Sequence, residues 1–203
     1  MPCTIYLVDD DAAILDSVCW LLEGEGFDVK TYNSAENFLD SVDIEQPGVI
    51  LLDINMPGID GLELQKRLAE KESNFVIVFL TGHASVEITK TAFKRGANDL
   101  LQKPVNGEEL CCAITQAQDL AISLSSSKQA TADLEARVAL LTEREKELVP
   151  LIIQGKPNKV IADELCIALR TVEIHRHNLF KKMGVTSGIQ LAFEGQGILG
   201  LLN

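Results

Sequence analysis

The sequence predicts an α/β fold, a doubly wound five-stranded parallel sheet, followed by a second, smaller all-α domain. Three observations predict it. Over the first 120 residues, short β-rich apolar runs alternate with amphipathic helical stretches, the pattern of a parallel sheet covered by helices. From Thr142 to Gly195 only helical segments can be read. The charge divides in the same region: residues 1–136 carry 9 Lys/Arg against 23 Asp/Glu, a net of −14, while residues 137–203 carry 9 against 7, a net of +2.

The strands are expected at Thr4–Val8, Phe27–Thr31, Val49–Asp53, Phe75–Thr81 and Asp99–Gln102. The helices between them are expected near Ala12–Glu25, Ser34–Ser41, Gly61–Glu72, Ser85–Arg95 and Asn106–Leu124. Gly24, Gly26 and Gly96 stand where helices should stop, because glycine takes the left-handed conformation found past a helix C-terminus. Between Leu120 and Leu141 the composition shifts to Ser, Gln, Ala and isolated leucines, and Ser123–Ser126 can break the helix. Leu134, Val138 and Leu141 then recur at helical steps with a narrow apolar stripe, which suits a helical linker, a coiled contact with a second copy or a solvated connector. The expected organisation is a first domain over 1–122, a helical linker over 123–140 and a second domain over 141–203.

Composition excludes several classes. With 46% apolar and 24% charged residues and 6 prolines, the chain is folded rather than disordered. It holds no apolar run of about 18 residues, and acids interrupt the N-terminus before a signal-like stretch can form, so a cytoplasmic protein without membrane contact is expected. The five cysteines are odd in number and lack metal-binding spacing, which makes reduced thiols the expectation, without a redox role for Cys111 and Cys112.

In an open parallel sheet, chemistry gathers outside the carboxyl ends of the strands. There the sequence places Asp9 and Asp10 after the first strand, Asp53 at the third, Thr81 at the fourth and Lys103 with Pro104 after the fifth. Clustered carboxylates repel one another unless a cation neutralises them, and oxygen donors suit magnesium. Such a site lets Asp53 act as a nucleophile toward a phosphoryl group, with Lys103 and the Thr81 hydroxyl meeting its oxygens.

The segments LVDDD at 7–11, LLDINMPGIDGLEL at 51–64, FLTGHAS at 79–85 and LLQKP at 100–104 resemble, in order, the flavodoxin-like receiver domain of two-component response regulators, over about residues 3–122. The resemblance implies that Asp53 is the phosphoacceptor and that Asp9, Asp10, Asp53 and the backbone carbonyl of Asn55 hold Mg2+. It also implies a switch and phosphate-binding role for Thr81 and Lys103, and a cis bond before Pro104. Receivers commonly carry an aromatic switch residue shortly before the lysine. This chain has Leu100 there, so activation is expected to rest on Thr81 and on backbone rearrangement of the fourth helix and fifth strand.

In the C-terminal third, Thr142 and Glu145 have capping-box spacing, and Gly155 ends that helix. Asn158 is placed to cap a second helix through about Leu165, and a third runs from near Leu169 to Met183, where Gly184 stops it. Two short helices joined by a tight turn make a helix-turn-helix. On the third helix Val172, Leu179 and Met183 form one apolar face, leaving Ile174, His177, Lys181 and Lys182 largely off it.

LTEREKE, GKPNKVIADEL and RTVEIHRHNLFKKMGV resemble the LuxR-type DNA-binding domain over about residues 138–200, and its pairing with a receiver resembles NarL/FixJ-type regulators. That resemblance implies a recognition helix over Thr171 to Met183, with Glu173, Ile174 and His177 at base-reading positions. Lys159, Arg176, Lys181 and Lys182 are its candidates for phosphate contacts. A helix from about Ser187 to Gly195 matches the usual dimerisation helix. Cys166 stands where glycine commonly turns the chain, and Ala168 where serine commonly caps the recognition helix.

The function expected is a transcriptional regulator, not an enzyme, phosphorylated by a sensor histidine kinase and binding promoter double-stranded DNA as a homodimer, with RNA polymerase a further candidate partner. Two other readings are a magnesium-dependent phosphatase and a regulator whose helical tail binds protein. Against the first stands Asn55, where haloacid-dehalogenase-type phosphatases place a second Asp. Against the second stands the basic C-terminal third.

Overall fold

The computed structural model describes residues 3–82 and 85–202. His83 and Ala84, inside the FLTGHAS segment, lie outside the described residues. The chain divides into two compact units, residues 1–126 and 127–203.

The first unit contains β1 (Thr4–Val8), α1 (Ala12–Gly24), β2 (Val29–Tyr32), α2 (Ala35–Ser41), β3 (Gly48–Leu52), α3 (Gly61–Glu70), β4 (Phe75–Thr81), α4 (Val86–Lys94) and β5 (Asp99–Gln102), and begins α5 (Gly107–Ala139). All strand pairs are parallel, in the order β2-β1-β3-β4-β5. Because successive side chains alternate across a strand, the sheet buries two separate apolar layers. Ile5, Leu7, Val49, Leu51, Val78 and Leu80 face Leu15, Val18 and Leu22 of α1 and Leu110 and Ile114 of α5. Val8, Ile50, Leu52, Ile77 and Phe79 face Phe38 of α2, Leu64 and Leu68 of α3 and Ala92 of α4. This is the doubly wound sheet that the alternation of the sequence predicts.

Three local expectations are corrected. Strand β2 begins at Val29 rather than Phe27, because Gly26 takes φ +88 and Phe27 N–H returns to Leu22 O at 3.1 Å to close α1. Gly26 and Gly96 adopt the left-handed conformation, whereas Gly24 is simply the last residue of α1. Ser123–Ser126 does not break the chain: these residues are helical within α5, and Ser126 Oγ donates to Ile122 O at 2.8 Å, back along the helix.

The second unit holds the end of α5, then α6 (Glu143–Ile153), α7 (Asn158–Glu164), α8 (Leu169–Met183), α9 (Gly188–Phe193) and α10 (Gly195–Leu202). The stripe of Leu134, Val138 and Leu141 packs into its core with Leu148, Ile161, Val172, Leu179, Met183 and Ile198. Arg137 reinforces that packing, donating to Met183 O at 2.7 Å and pairing with Glu194 at 3.2 Å. The last turns of α5 therefore belong to the core of the helical unit. Among the described residues, no helix is long and apolar enough to cross a membrane.

Candidate functional site

The carboxyl edge of the sheet gathers the polar residues that the sequence places there. Asp53 follows β3, its N–H donating to Val8 O at 2.9 Å, which extends the ladder one residue and fixes the start of the next loop. Asp9 follows β1 in the same way through Tyr32 O at 3.1 Å. Lys103 N–H donates to Thr81 O at 2.8 Å, so the lysine backbone is held by the end of β4, and the Lys103–Pro104 bond is cis.

Side chains close the site. Lys103 Nζ donates to Asp9 Oδ2 and, at 2.9 Å, to Asp53 Oδ1. The other Asp53 oxygen accepts Asn55 N–H at 2.9 Å, and Asp9 Oδ1 accepts Asp11 N–H at 3.0 Å. Burial pushes the Asp9 carboxyl above the ordinary range, the Lys103 bond only partly offsetting it. Burial also pulls Lys103 down, but its bonds to Asp9 and Asp53 outweigh that and hold the ammonium above its ordinary value. Asp9, Asp53 and Thr81 are buried, while Asp10 is exposed.

Carboxylate oxygens of Asp9, Asp10 and Asp53 lie within 4.8 Å of one another. Three carboxylates against one lysine leave net negative charge, and this hard oxygen donor set fits Mg2+. Gly61 explains how the loop closes beneath Asp53: a Cβ there would collide with the Asp53 carbonyl oxygen, and Gly61 N–H donates to Ile54 O at 2.9 Å. Leu100 stands opposite Phe79 in the β4–β5 register and packs, half-buried, on the layer beneath α4.

The helical unit supplies the second site. The capping box of α6 is formed as its spacing predicts, Glu145 N–H donating to Thr142 Oγ1 at 3.3 Å and Thr142 N–H to Glu145 Oε2 at 2.8 Å. Asn158, in contrast, does not cap α7. Pro157 is the N-cap, and Asn158 Oδ1 accepts from Arg176 at 3.0 Å, with that guanidinium 5.1 Å above the Phe180 ring. Cys166 takes φ 54, the left-handed turn for which glycine is the usual residue. Ala168 caps α8 without a side-chain hydrogen bond.

On α8, Val172, Leu179 and Met183 are fully buried, which leaves Glu173, Ile174, His177 and Lys181 exposed and Thr171 half-buried. Lys159 is exposed on α7. Arg170, absent from the sequence-based candidates, pairs with Glu173 at 3.0 Å and lines a shallow concavity with Ile174 and His177. Its signal was its place one residue ahead of Thr171 at the exposed start of α8. Lys182 donates to the buried Glu145 at 2.7 Å, so α8 is pinned to the cap of α6.

Residues 5–115 match the response regulator receiver domain, and residues 139–194 match the luxR family of bacterial regulatory proteins. The chain is a response regulator of the NarL/FixJ type. The transcriptional regulatory protein FixJ of Bradyrhizobium diazoefficiens is 40% identical to it over 183 residues, covering 90% of this chain and 89% of that protein. The tetrathionate response regulatory protein TtrR of Salmonella typhimurium is 39% identical over 188 residues, covering 93% and 89%. Among solved structures, the response regulator StyR superposes with a TM-score of 0.89 at 37% identity, covering 95% of this chain and 98% of that one. Full-length FixJ from B. japonicum gives 0.59 at 38% identity, covering 99% and 98%. This response regulator therefore joins a receiver to a LuxR-type DNA-binding domain and is a transcriptional regulator by family.

Proposed function

We propose that this response regulator accepts a phosphoryl group on Asp53 from a sensor histidine kinase and thereby controls pairing and promoter binding by its helix-turn-helix. The observation that carries the reading is the position of Asp53: its carboxylate adjoins those of Asp9 and Asp10 and is bonded to Lys103.

In the transfer, an Asp53 carboxylate oxygen attacks the phosphorus of the kinase phosphoimidazole. The P–N bond breaks, its electron pair stays on the imidazole nitrogen, and that nitrogen is then protonated. Lys103 pairs with a phosphoryl oxygen, and Thr81 donates its hydroxyl to another. Asp9, Asp10, Asp53 and the Asn55 carbonyl are the residues that would hold Mg2+, which when bound neutralises the carboxylates and the incoming charge. Thr81, at the end of β4, and backbone rearrangement of α4 and of β5, where Leu100 stands in the switch position, then carry the change to the face bearing α4.

In the C-terminal unit, Glu173, Ile174 and His177 read base edges from a recognition helix that begins at Thr171, and Lys159 and Lys181 meet phosphates. Arg176 and Lys182 also serve within the fold, each donating one hydrogen bond internally, so phosphate contact draws on their remaining N–H groups. The phosphorylated form acts as a homodimer on two half-sites in the cytoplasm, where RNA polymerase is the partner that reads the outcome. No turnover of external substrates is assigned to the Asp53 site, whose second position is Asn55 rather than an acid.

The test is light scattering of the full chain, with and without Mg2+ and beryllofluoride, alongside titration of promoter duplex. A shift to dimer together with salt-steep DNA affinity is expected. Confirmed beryllofluoride binding without any change in mass or affinity would overturn the coupling.

A further inference from the structure

The loop between β3 and α3 must hold both the Asp53 carboxylate and the Asn55 carbonyl in place. Its first residues are tied through Asp53 N–H to Val8 O and Asn55 N–H to Asp53 Oδ2, and its end through Gly61 N–H to Ile54 O. Its middle is held from a different element. Ile59 N–H donates at 3.0 Å to Oε1 of Glu36, a residue 23 positions earlier in the first turn of α2. Gly58 takes φ +77 beside this contact, and a Cβ there would lie 2.6 Å from the same Glu36 oxygen, so the loop runs close against that carboxylate.

Helix α2 is a firm base for such a contact. Ser34 Oγ caps it by accepting Asn37 N–H at 3.2 Å, and the buried Phe38 makes edge contacts with Tyr6, Tyr32 and Phe75 at 5.5–5.7 Å. Backbone N–H groups of Glu36 itself and of Ile59 hold the Glu36 carboxyl below the usual carboxylate range. It is therefore ionised near neutrality, and the bond to Ile59 is charge-assisted.

We propose that Glu36 is a positioning residue for phosphorylation, holding through Ile59 N–H the loop that aims Asp53 and the Asn55 carbonyl, and so setting the Mg2+ affinity of the site. The inference rests on the reading of Asp53 and Asn55 as the phosphorylation and metal site. Glu36 touches neither the phosphoryl group nor the ion; it limits how far the loop carrying their ligands can move. Displacements of order 1 Å at such a loop are enough to cost up to about 100-fold in a positioned reaction.

The experiment is calorimetric titration of the full chain with Mg2+, paired with acetyl phosphate labelling across Mg2+ concentrations, in wild type, Glu36→Ala, Glu36→Gln and Glu63→Ala. Glu36→Ala is expected to weaken Mg2+ binding about 5- to 10-fold, part of the worth of one charge-assisted bond, since the bond holds the loop and not the ion, and to slow labelling most at low Mg2+. Glu36→Gln keeps an acceptor oxygen and should stay within about 2-fold of wild type. Glu63→Ala removes an exposed ion pair on α3 and should change nothing. Should Glu36→Ala fail to fold, Glu36→Asp, which keeps the charge but withdraws the carboxylate by one methylene, carries the same expectation. Wild-type Mg2+ affinity in Glu36→Ala or Glu36→Asp, or equal loss in Glu36→Gln, overturns the inference. A wild type that neither binds Mg2+ nor labels overturns the reading of the site itself.

Discussion

Lys103 Nζ stands 2.9 Å from Asp53 Oδ1 while also bonded to Asp9, so one lysine joins the ends of β1, β3 and β5. The same ammonium balances buried charge in the resting site and is in reach of a phosphoryl group on Asp53. Replacing it with Ala leaves those carboxylates without their cation. Lys103→Ala is expected to lower stability in the absence of divalent ions by about 1–3 kcal/mol, with Mg2+ restoring part of the loss, as urea unfolding with and without Mg2+ would measure.

Asp53→Asn removes the nucleophile with little change in volume. Labelling by acetyl phosphate is expected to disappear while the far-UV spectrum stays the same. Retained labelling would move the acceptor elsewhere.

Gly61 sits against the backbone of Asp53 and Ile54, where a side chain has no room. Gly61→Ala should therefore destabilise the receiver by about 1–3 kcal/mol and displace Asp53. The two effects separate in a urea midpoint and in the labelling rate of the molecules that remain folded.

Glu145 and Lys182 predict an acid-sensitive helical unit. Burial alone would raise the Glu145 carboxyl, but its bonds to Lys182 and Thr142 outweigh that and hold it below the ordinary range. A folded value below the unfolded one contributes stability above the unfolded value, and that contribution is lost as pH falls through the folded value. Amide exchange in α6 of the full chain should show its protection falling on acidification, with a shallower fall in Glu145→Gln; identical pH profiles would mean that the pair is not the source of the acid sensitivity.

The two lysines at the end of α8 should separate in DNA binding. Lys181 is exposed, whereas Lys182 is tied to Glu145. Lys181→Ala is expected to lessen the slope of log affinity against log salt by about 0.9, the value for one lost phosphate contact, and to weaken binding on all sequences alike. Lys182→Ala should instead lower the stability of the helical unit. Filling the missing cap with Ala168→Ser should add about 1 kcal/mol to that stability, read from the same exchange experiment.

Much of the receiver site was legible because its determinants are local. Apolar runs bounded by turn residues locate β1, β4 and β5 to the residue, and a doubly wound sheet brings strand ends to one edge whatever the details of packing. Asp9, Asp53, Thr81 and Lys103 could thus be assigned to one pocket across 94 positions. Thr142 with Glu145, and Val172 with Leu179 and Met183, were legible for the same reason, since capping and helical periodicity act within a few turns.

What the sequence by itself determined is the doubly wound sheet, the helical C-terminal unit and the residues at the strand ends, because hydrophobic periodicity and turn chemistry are properties of neighbouring residues. Only the tertiary structure decided which partner each polar side chain meets: Glu36 the Ile59 N–H, Arg176 Asn158, Lys182 Glu145 and Arg137 the Met183 carbonyl. Those partners lie between 18 and 46 residues apart. A long charged side chain has many acceptors within reach of its stem, and the choice among them is made by helix crossings and by burial, which no local pattern encodes.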